Sequence, residues 1–143
     1  MLGNFPAPTL RVYPVYTVIA EKYQAMVILG QANSRMKDFF DLAVIARRTK
    51  LDGATLAAAI AATFARRQTH LPTERPLALT KQFSEDAAKL RQWQAFLNKN
   101  HIEAGSLSDT VSLLDDLLWP PTEIAAACSQ ATATWCPEAL RWA

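Results

Sequence analysis

TVIAEKYQAMVILGQANSRMKDFFDL, residues 17–42, is the stretch that decides the fold. It predicts two helices, at about 17–29 and 34–48, joined by a turn at Gly30, because glycine readily adopts the left-handed conformation that ends a helix. Thr17 and Ser34 are each expected to cap a helix by accepting a backbone N–H. The two helices should therefore form an antiparallel hairpin.

This hairpin holds the one cluster of charged residues whose spacing suggests chemistry. Lys22 lies in the middle of the first helix, and Asp38 and Asp41 are three residues apart on the second. An antiparallel hairpin would bring the Lys22 ammonium toward both carboxylates. The carboxylates could then orient Lys22, or hold a metal with the phosphates of a nucleotide while the ammonium neutralises phosphate charge.

Ordinary helix ion pairs are the alternative. Arg35 precedes Asp38 by three residues and Lys37 precedes Asp41 by four. Both spacings place the partners on one helix face. Spacing alone favours this simpler interpretation.

The composition is that of an ordinary globular domain. The chain has 143 residues, 50% of them hydrophobic and 20% charged, with a net charge of +2. This charge neither requires nor excludes a nucleic-acid partner. No apolar run is long enough for a membrane span, and no cationic start precedes an apolar run, so we expect a cytoplasmic protein without a membrane partner. Cys128 and Cys136 lack the spacing of a metal site or redox pair, and the missing secretory signal favours free thiols over a disulfide.

The N-terminal segment, residues 1–14, contains three prolines and a short β-favouring piece at 10–13. Proline lacks an N–H and disfavours a helical residue before it. We therefore expect an extended arm that ends in a short strand.

The remainder of the chain predicts further amphipathic helices. Asp52 should cap one, Thr80 or Ser84 should begin a long one, and Ser106 or Ser108 should cap the last. In the long helix, Phe83, Leu90 and Trp93 belong to the expected buried stripe.

Pro120 and Pro121 should end the last helix. The tail beyond them carries Trp135 and Trp142, which we expect to dock on the body. The expected fold is all-α, with about five helices in one irregular bundle. Two arginine pairs, at 47–48 and 66–67, close helices; complementation of the helix dipole explains them better than RNA binding.

The stretch AEKYQAMVILGQANSRMKDFFDL, residues 20–42, resembles two motifs of the AbiEii/AbiGii-type nucleotidyltransferase toxin family, a type IV toxin-antitoxin family. In these motifs a Glu-Lys pair on one helix precedes an Arg-x-Lys-Asp-x-x-Asp segment on the next. LALTKQF, DAAKLRQWQAFL, LLDDLLWPP and the ending at 135–142 are similar to the helical C-terminal half of the family. The residues at the matching motif positions are Glu21, Lys22, Arg35, Lys37, Asp38 and Asp41.

The resemblance implies a polymerase-β-like palm followed by a helical region that transfers a nucleotide to an RNA acceptor such as a tRNA end, with Mg²⁺ and a nucleoside triphosphate. It implies that Lys22 contacts the triphosphate and that Asp38 is a catalytic or base-activating carboxylate, supported by Asp41. Arg35 and Lys37 would bind substrate. A cognate antitoxin is the implied partner.

The first two motifs of the family, a Gly-rich turn with Ser or Thr and a metal-binding Asp-x-Asp pair, do not occur in this sequence. We therefore expect residues 1–143 to be a single helical domain without the palm, inactive alone, from a truncated or split enzyme whose palm lies on a partner chain. The alternative is a non-catalytic module that binds an antitoxin or partner subunit, or a second copy. An RNA-binding helical domain is a third, weaker interpretation.

Overall fold

A computed structural model describes residues 7–129 and 133–143, with side chains from residue 14 onward. In this part of the chain, helices predominate and a small sheet lies near the C-terminal end. The helices are α1 (Ala7–Leu29), α2 (Met36–Arg48), α3 (Gly53–Arg66), α4 (Lys81–Ser84), α5 (Ala87–Lys99) and α6 (Leu107–Ala126), with short 3-10 helices at Gly30–Ala32 and Leu77–Leu79. The strands are β1 (Leu51–Asp52), β2 (Thr134–Cys136) and β3 (Arg141–Trp142).

The all-α expectation is confirmed for most of the described chain, but it did not include the three-stranded sheet. The three strands are antiparallel in the order β1-β2-β3, with Leu51 opposite Trp135 and Trp135 opposite Trp142. Strands of two or three residues are too short to show the alternation by which a strand is recognised in a sequence.

The extended N-terminal arm is wrong for the described residues. Helix α1 begins at Ala7 and passes through Pro14, so residues 10–13 are helical and form no strand. Pro8 lies in the first turn, where its missing N–H has no intrahelical partner anyway. Pro14 removes one further hydrogen bond without ending the helix. Residues 1–6 lie outside the described part.

Two of the predicted caps are confirmed. The Asp52 carboxylate accepts the Thr55 N–H at 2.9 Å, and the Ser106 hydroxyl accepts the Asp109 N–H at 3.0 Å. Each side chain satisfies a donor that the helix itself cannot satisfy.

Other predicted helix boundaries are wrong. Thr17 lies inside α1, and Ser34 does not cap α2, which begins after Arg35 without a side-chain cap. Thr80 begins only the short α4, and Asp86 caps α5 separately by accepting the Lys89 N–H.

The core lies where α1, α2 and α3 pack with α6. Its largest fully buried side chains include Tyr23, Phe39, Phe64 and Phe83, and the rings of Phe39 and Phe83 stack with centroids 5.3 Å apart. The hydroxyls of Tyr23 and Thr122 are hydrogen-bonded at 2.9 Å, which ties α1 to α6. Burial raises the pKa of Tyr23 to about 12.

Part of the predicted stripe on α5 is not buried. Leu90 is 43% exposed, whereas Lys89 beside it is only 4% exposed. Trp93 and Phe83 are buried as expected.

Pro120 and Pro121 do not end α6, which continues to Ala126. In a regular helix the N–H of residue 120 would bond the Asp116 carbonyl. Proline has no N–H, and the Trp142 indole donates to that carbonyl instead, at 3.1 Å. A side chain from β3 thus satisfies the acceptor that the proline leaves free.

The predicted docking of the tryptophan tail is confirmed. Trp135 is fully buried, and its indole donates to the Ala46 carbonyl in the last turn of α2 at 2.8 Å. Its ring also meets the Trp142 ring edge-on, with centroids 5.5 Å apart. The small sheet therefore anchors the C-terminal segment on α2.

Trp135→Ala should lower the free energy of unfolding by about 3–5 kcal/mol, because it removes a buried aromatic side chain and leaves a cavity. Urea denaturation followed by circular dichroism measures this loss. Trp142→Ala, at a partly exposed position, is the matched control and should cost less than half as much. Equal losses for the two variants would contradict the anchoring role of Trp135.

Candidate functional site

The turn between α1 and α2 sets the geometry of the charged cluster. Gly30 has a φ of +51°, the left-handed conformation expected for it. Asn33 is buried, and its side-chain oxygen accepts the Arg35 N–H at 2.8 Å. The chain turns here, so the start of α2 lies beside the last turns of α1.

Lys22 meets both carboxylates across this hairpin. Its Nζ lies 2.9 Å from Asp38 Oδ1 and 3.2 Å from Asp41 Oδ2. The three side chains are 23%, 16% and 26% exposed, in the order Lys22, Asp38, Asp41. The expected approach of the ammonium to both acids is confirmed, and the cluster is partly screened from water yet open to a ligand.

The ion pairs of the simpler interpretation form as well. Lys37 Nζ lies 2.7 Å from Asp41 Oδ2, and Arg35 Nη1 lies 4.0 Å from Asp38 Oδ2. These two cations are mostly exposed, at 74% and 62%, so each can turn toward a bound anion without loss of core packing. All five sequence-predicted site residues are therefore brought together.

The cluster shifts two pKa values in opposite directions. Burial alone would lower the pKa of Lys22, but the hydrogen bonds and charges of Asp38 and Asp41 outweigh it and raise that pKa. Burial alone would raise the pKa of Asp41, and the hydrogen bonds of Lys37 and Lys22 outweigh it in the other direction. Lys22 therefore stays charged, and Asp41 stays ionised, at neutral pH.

The arrangement does not fit Mg²⁺ at Asp38 and Asp41. The Lys22 ammonium already contacts both carboxylates where a metal ion would bind, and a second cation there would be repelled. Across residues 7–129 and 133–143, no group of three or more histidine, cysteine, aspartate or glutamate side chains could hold a metal.

No described helix meets the length and hydropathy of a membrane span.

Glu21, the neighbour of Lys22, contacts the end of α3 instead of the Lys22 cluster. Its carboxylate lies 3.4 Å from Arg66 and 3.3 Å from Arg67 at the end of α3. Gln24 accepts a further bond from Arg67 at 3.1 Å. This arginine pair therefore ties α3 to α1, in addition to the expected effect on the helix dipole.

Lys89 is a buried cation that the sequence reasoning missed. Its ammonium donates to the Asn33 carbonyl at 2.7 Å and to Gln92 at 3.3 Å, and it lies 5.3 Å from the centre of the Phe83 ring. One signal was available, because Lys89 precedes the buried Trp93 by four residues and so shares its helix face.

The match to a protein family extends over most of the chain and includes the whole cluster. Residues 1–116 match the family described as "Nucleotidyl transferase AbiEii toxin, Type IV TA system". The chain belongs to the AbiEii family. The matched region contains every residue from Glu21 to Asp41, and it ends before β2 and β3. Neither the curated proteins nor the solved structures give a match.

Membership of the AbiEii family makes this a nucleotidyltransferase-type toxin domain and implies an antitoxin partner, because the family is a type IV toxin-antitoxin family. The resemblance first seen in residues 20–42 is thus confirmed.

Lys22→Met should lower the free energy of unfolding by about 1–2 kcal/mol at neutral pH, because it leaves two partly buried carboxylates without their shared cation. Lys37→Met removes a mostly exposed partner of the same Asp41 and should cost only about 0.3–0.5 kcal/mol. Chemical denaturation of the three proteins measures both losses.

The Lys22→Met loss should depend on pH in a defined way. The raised pKa of Lys22 means that its contribution is full below its ordinary value of 10.5 and is lost as the pH rises through the folded-state pKa. The lowered pKa of Asp41 means that its contribution is full above 3.8 and is lost as the pH falls through the folded-state value. The gap between wild type and variant should shrink at both extremes, and a gap constant from pH 3 to 11 would contradict the ion pair.

Proposed function

We propose that this AbiEii-family chain provides the helical half of a nucleotide-transfer site, in which Lys22 binds the triphosphate of a nucleoside triphosphate. The observation that carries the proposal is the position of the Lys22 ammonium, fixed between Asp38 and Asp41 at the open edge of the α1–α2 hairpin. Family membership supplies the type of reaction.

The electrostatics favour an anionic substrate. Three cations, Lys22, Arg35 and Lys37, surround two carboxylates, so the cluster carries a net charge of 3 − 2 = +1. A triphosphate can replace the carboxylates as the partner of the Lys22 ammonium. The exposed side chains of Arg35 and Lys37 can then contact the triphosphate as well. Charge-assisted bonds of this kind are the strong ones in phosphate recognition.

Once a triphosphate draws the ammonium away, Asp38 regains a free oxygen. It can then accept the proton of an acceptor hydroxyl as that oxygen attacks the α-phosphorus and pyrophosphate leaves. Asp41 remains hydrogen-bonded to Lys37, and this bond helps to hold the side chains on this face of α2 in position. We propose Asp38 as the base, Asp41 as its support, and Arg35 and Lys37 as substrate-binding residues.

Metal-dependent transfer requires carboxylates beyond these two, because Asp38 is the proposed base and Asp41 stays paired with Lys37. We propose that these further carboxylates come from a palm on a partner chain, so that the active enzyme is split and this chain alone is inactive. Mg²⁺ would then enter with the nucleotide and the palm.

A non-catalytic role is the second candidate, and the surface of α1 favours it. Val18 is 38% exposed and Ile28 is 61% exposed, on either side of Lys22 along one helix. Both side chains could be covered by a partner protein, and removing their apolar surface from water would favour that association. The partner would be the antitoxin, a partner subunit or a second copy of the chain.

Isothermal titration calorimetry with each nucleoside triphosphate and Mg²⁺ tests the first proposal. Lys22→Met should weaken nucleotide binding at least about tenfold, because one charge-assisted phosphate contact is lost. Asp38→Asn should retain binding, since it removes a repulsive charge. Lys81→Met, an exposed lysine on α4, is the matched control and should bind as wild type does.

A folded wild-type chain that gives no heat with any nucleotide would reject the nucleotide site. Sedimentation analysis then decides the second candidate. Ile28→Glu should abolish self-association or antitoxin binding if α1 is the docking surface, whereas Lys22→Met should leave it unchanged.

A further inference from the structure

We propose that the open groove between the start of α2 and α5 binds the sugar-phosphate backbone of a single-stranded nucleic acid. The inference rests on the proposed function, because the bound strand would be the acceptor delivered to the Lys22 cluster. It assigns a role to residues of α5, which the nucleotide site does not use.

Three cations line the groove, and two of them, Arg35 and Lys37, are also paired with Asp38 and Asp41 behind it. The groove has a volume of about 470 Å³, and Arg35 and Lys37 line one side while Lys99 lines the other. None of its lining residues is an aspartate or glutamate. Cations on both walls of a groove create a positive potential suited to a polyanion.

A buried charge beneath the groove strengthens this potential. The Lys89 ammonium bonds Gln92, a lining residue, at 3.3 Å, and its other acceptor is the neutral Asn33 carbonyl. No described carboxylate forms an ion pair with Lys89. An uncompensated charge that is 4% exposed is screened less by solvent than a surface lysine would be.

An aromatic ring favours a nucleic acid over a simple anion. Phe96 lines the groove and is only partly buried, and its ring lies 5.8 Å from Phe40 and 5.9 Å from Trp93. A ring supported from behind is a suitable platform for a base, and single-strand sites combine such platforms with a basic groove.

The groove is continuous with the proposed nucleotide site. Arg35 and Lys37 line it and also contact Asp38 and Asp41. A strand held between α2 and α5 therefore runs toward the Lys22 cluster. Its terminal hydroxyl could approach Asp38 while the phosphates farther from that end stay on Lys99.

Fluorescence anisotropy with a labelled 12-nucleotide oligouridine, titrated at several salt concentrations, tests the proposal. Three phosphate contacts on a single strand predict a slope of log K against log salt of about −2. Lys99→Gln should reduce the affinity about 5–10-fold and make the slope shallower by about 0.7. Lys99→Arg should retain binding, and Phe96→Leu should weaken it with no change in slope.

Lys50→Gln is the matched control, because this exposed lysine follows α2 at the end opposite the groove. It should leave both affinity and slope unchanged. An equal loss for Lys50→Gln and Lys99→Gln, or binding of tripolyphosphate without binding of the oligonucleotide, would overturn the proposal.

The two proposals fail separately. Lys99→Gln should leave nucleoside triphosphate calorimetry unchanged, since Lys99 lies outside the Lys22 cluster. Oligonucleotide binding without triphosphate binding would reject the nucleotide site and keep the groove. Triphosphate binding without oligonucleotide binding would reject the groove and keep the nucleotide site.

Discussion

The ammonium of Lys22 between two carboxylates is the interaction on which the site depends. It requires that α2 return along α1 within a turn of a few residues, and the left-handed Gly30 and the buried Asn33 make that return possible. The ion pair and the turn are therefore mutually dependent.

Helix α1 is held on several sides, which keeps Lys22 in register. The Tyr16 hydroxyl accepts the Asp52 N–H at 2.8 Å, Glu21 pairs with the end of α3, and Tyr23 bonds Thr122 of α6. These contacts span less than three turns of helix and surround Lys22 in sequence. A fixed helix reduces the entropy lost when a ligand binds, so the site is pre-organised on one side.

Local signals in the sequence predicted the hairpin, the ion-pair cluster, the caps at Asp52 and Ser106, and the docking of Trp135. Each depends on residues close in the chain or on one large apolar side chain. The prolines led to two wrong predictions, the extended N-terminal arm and the end of α6. A helix accommodates a proline in its first turn, and it can continue past another when a different donor bonds the carbonyl that the proline leaves free. Lys89 and the groove were missed because each joins segments that are distant in sequence: Lys89 bonds the turn between α1 and α2, and the groove lies between α2 and α5.

Pro120 and Pro121 have a consequence beyond the bond from Trp142. Two consecutive prolines restrict the backbone of the unfolded chain, so less conformational entropy is lost when this part of α6 forms. The final turns of a helix are usually the first to fray. Here the prolines restrict the unfolded chain and the Trp142 indole bonds the folded one, so both favour the helical form of turns that would otherwise fray.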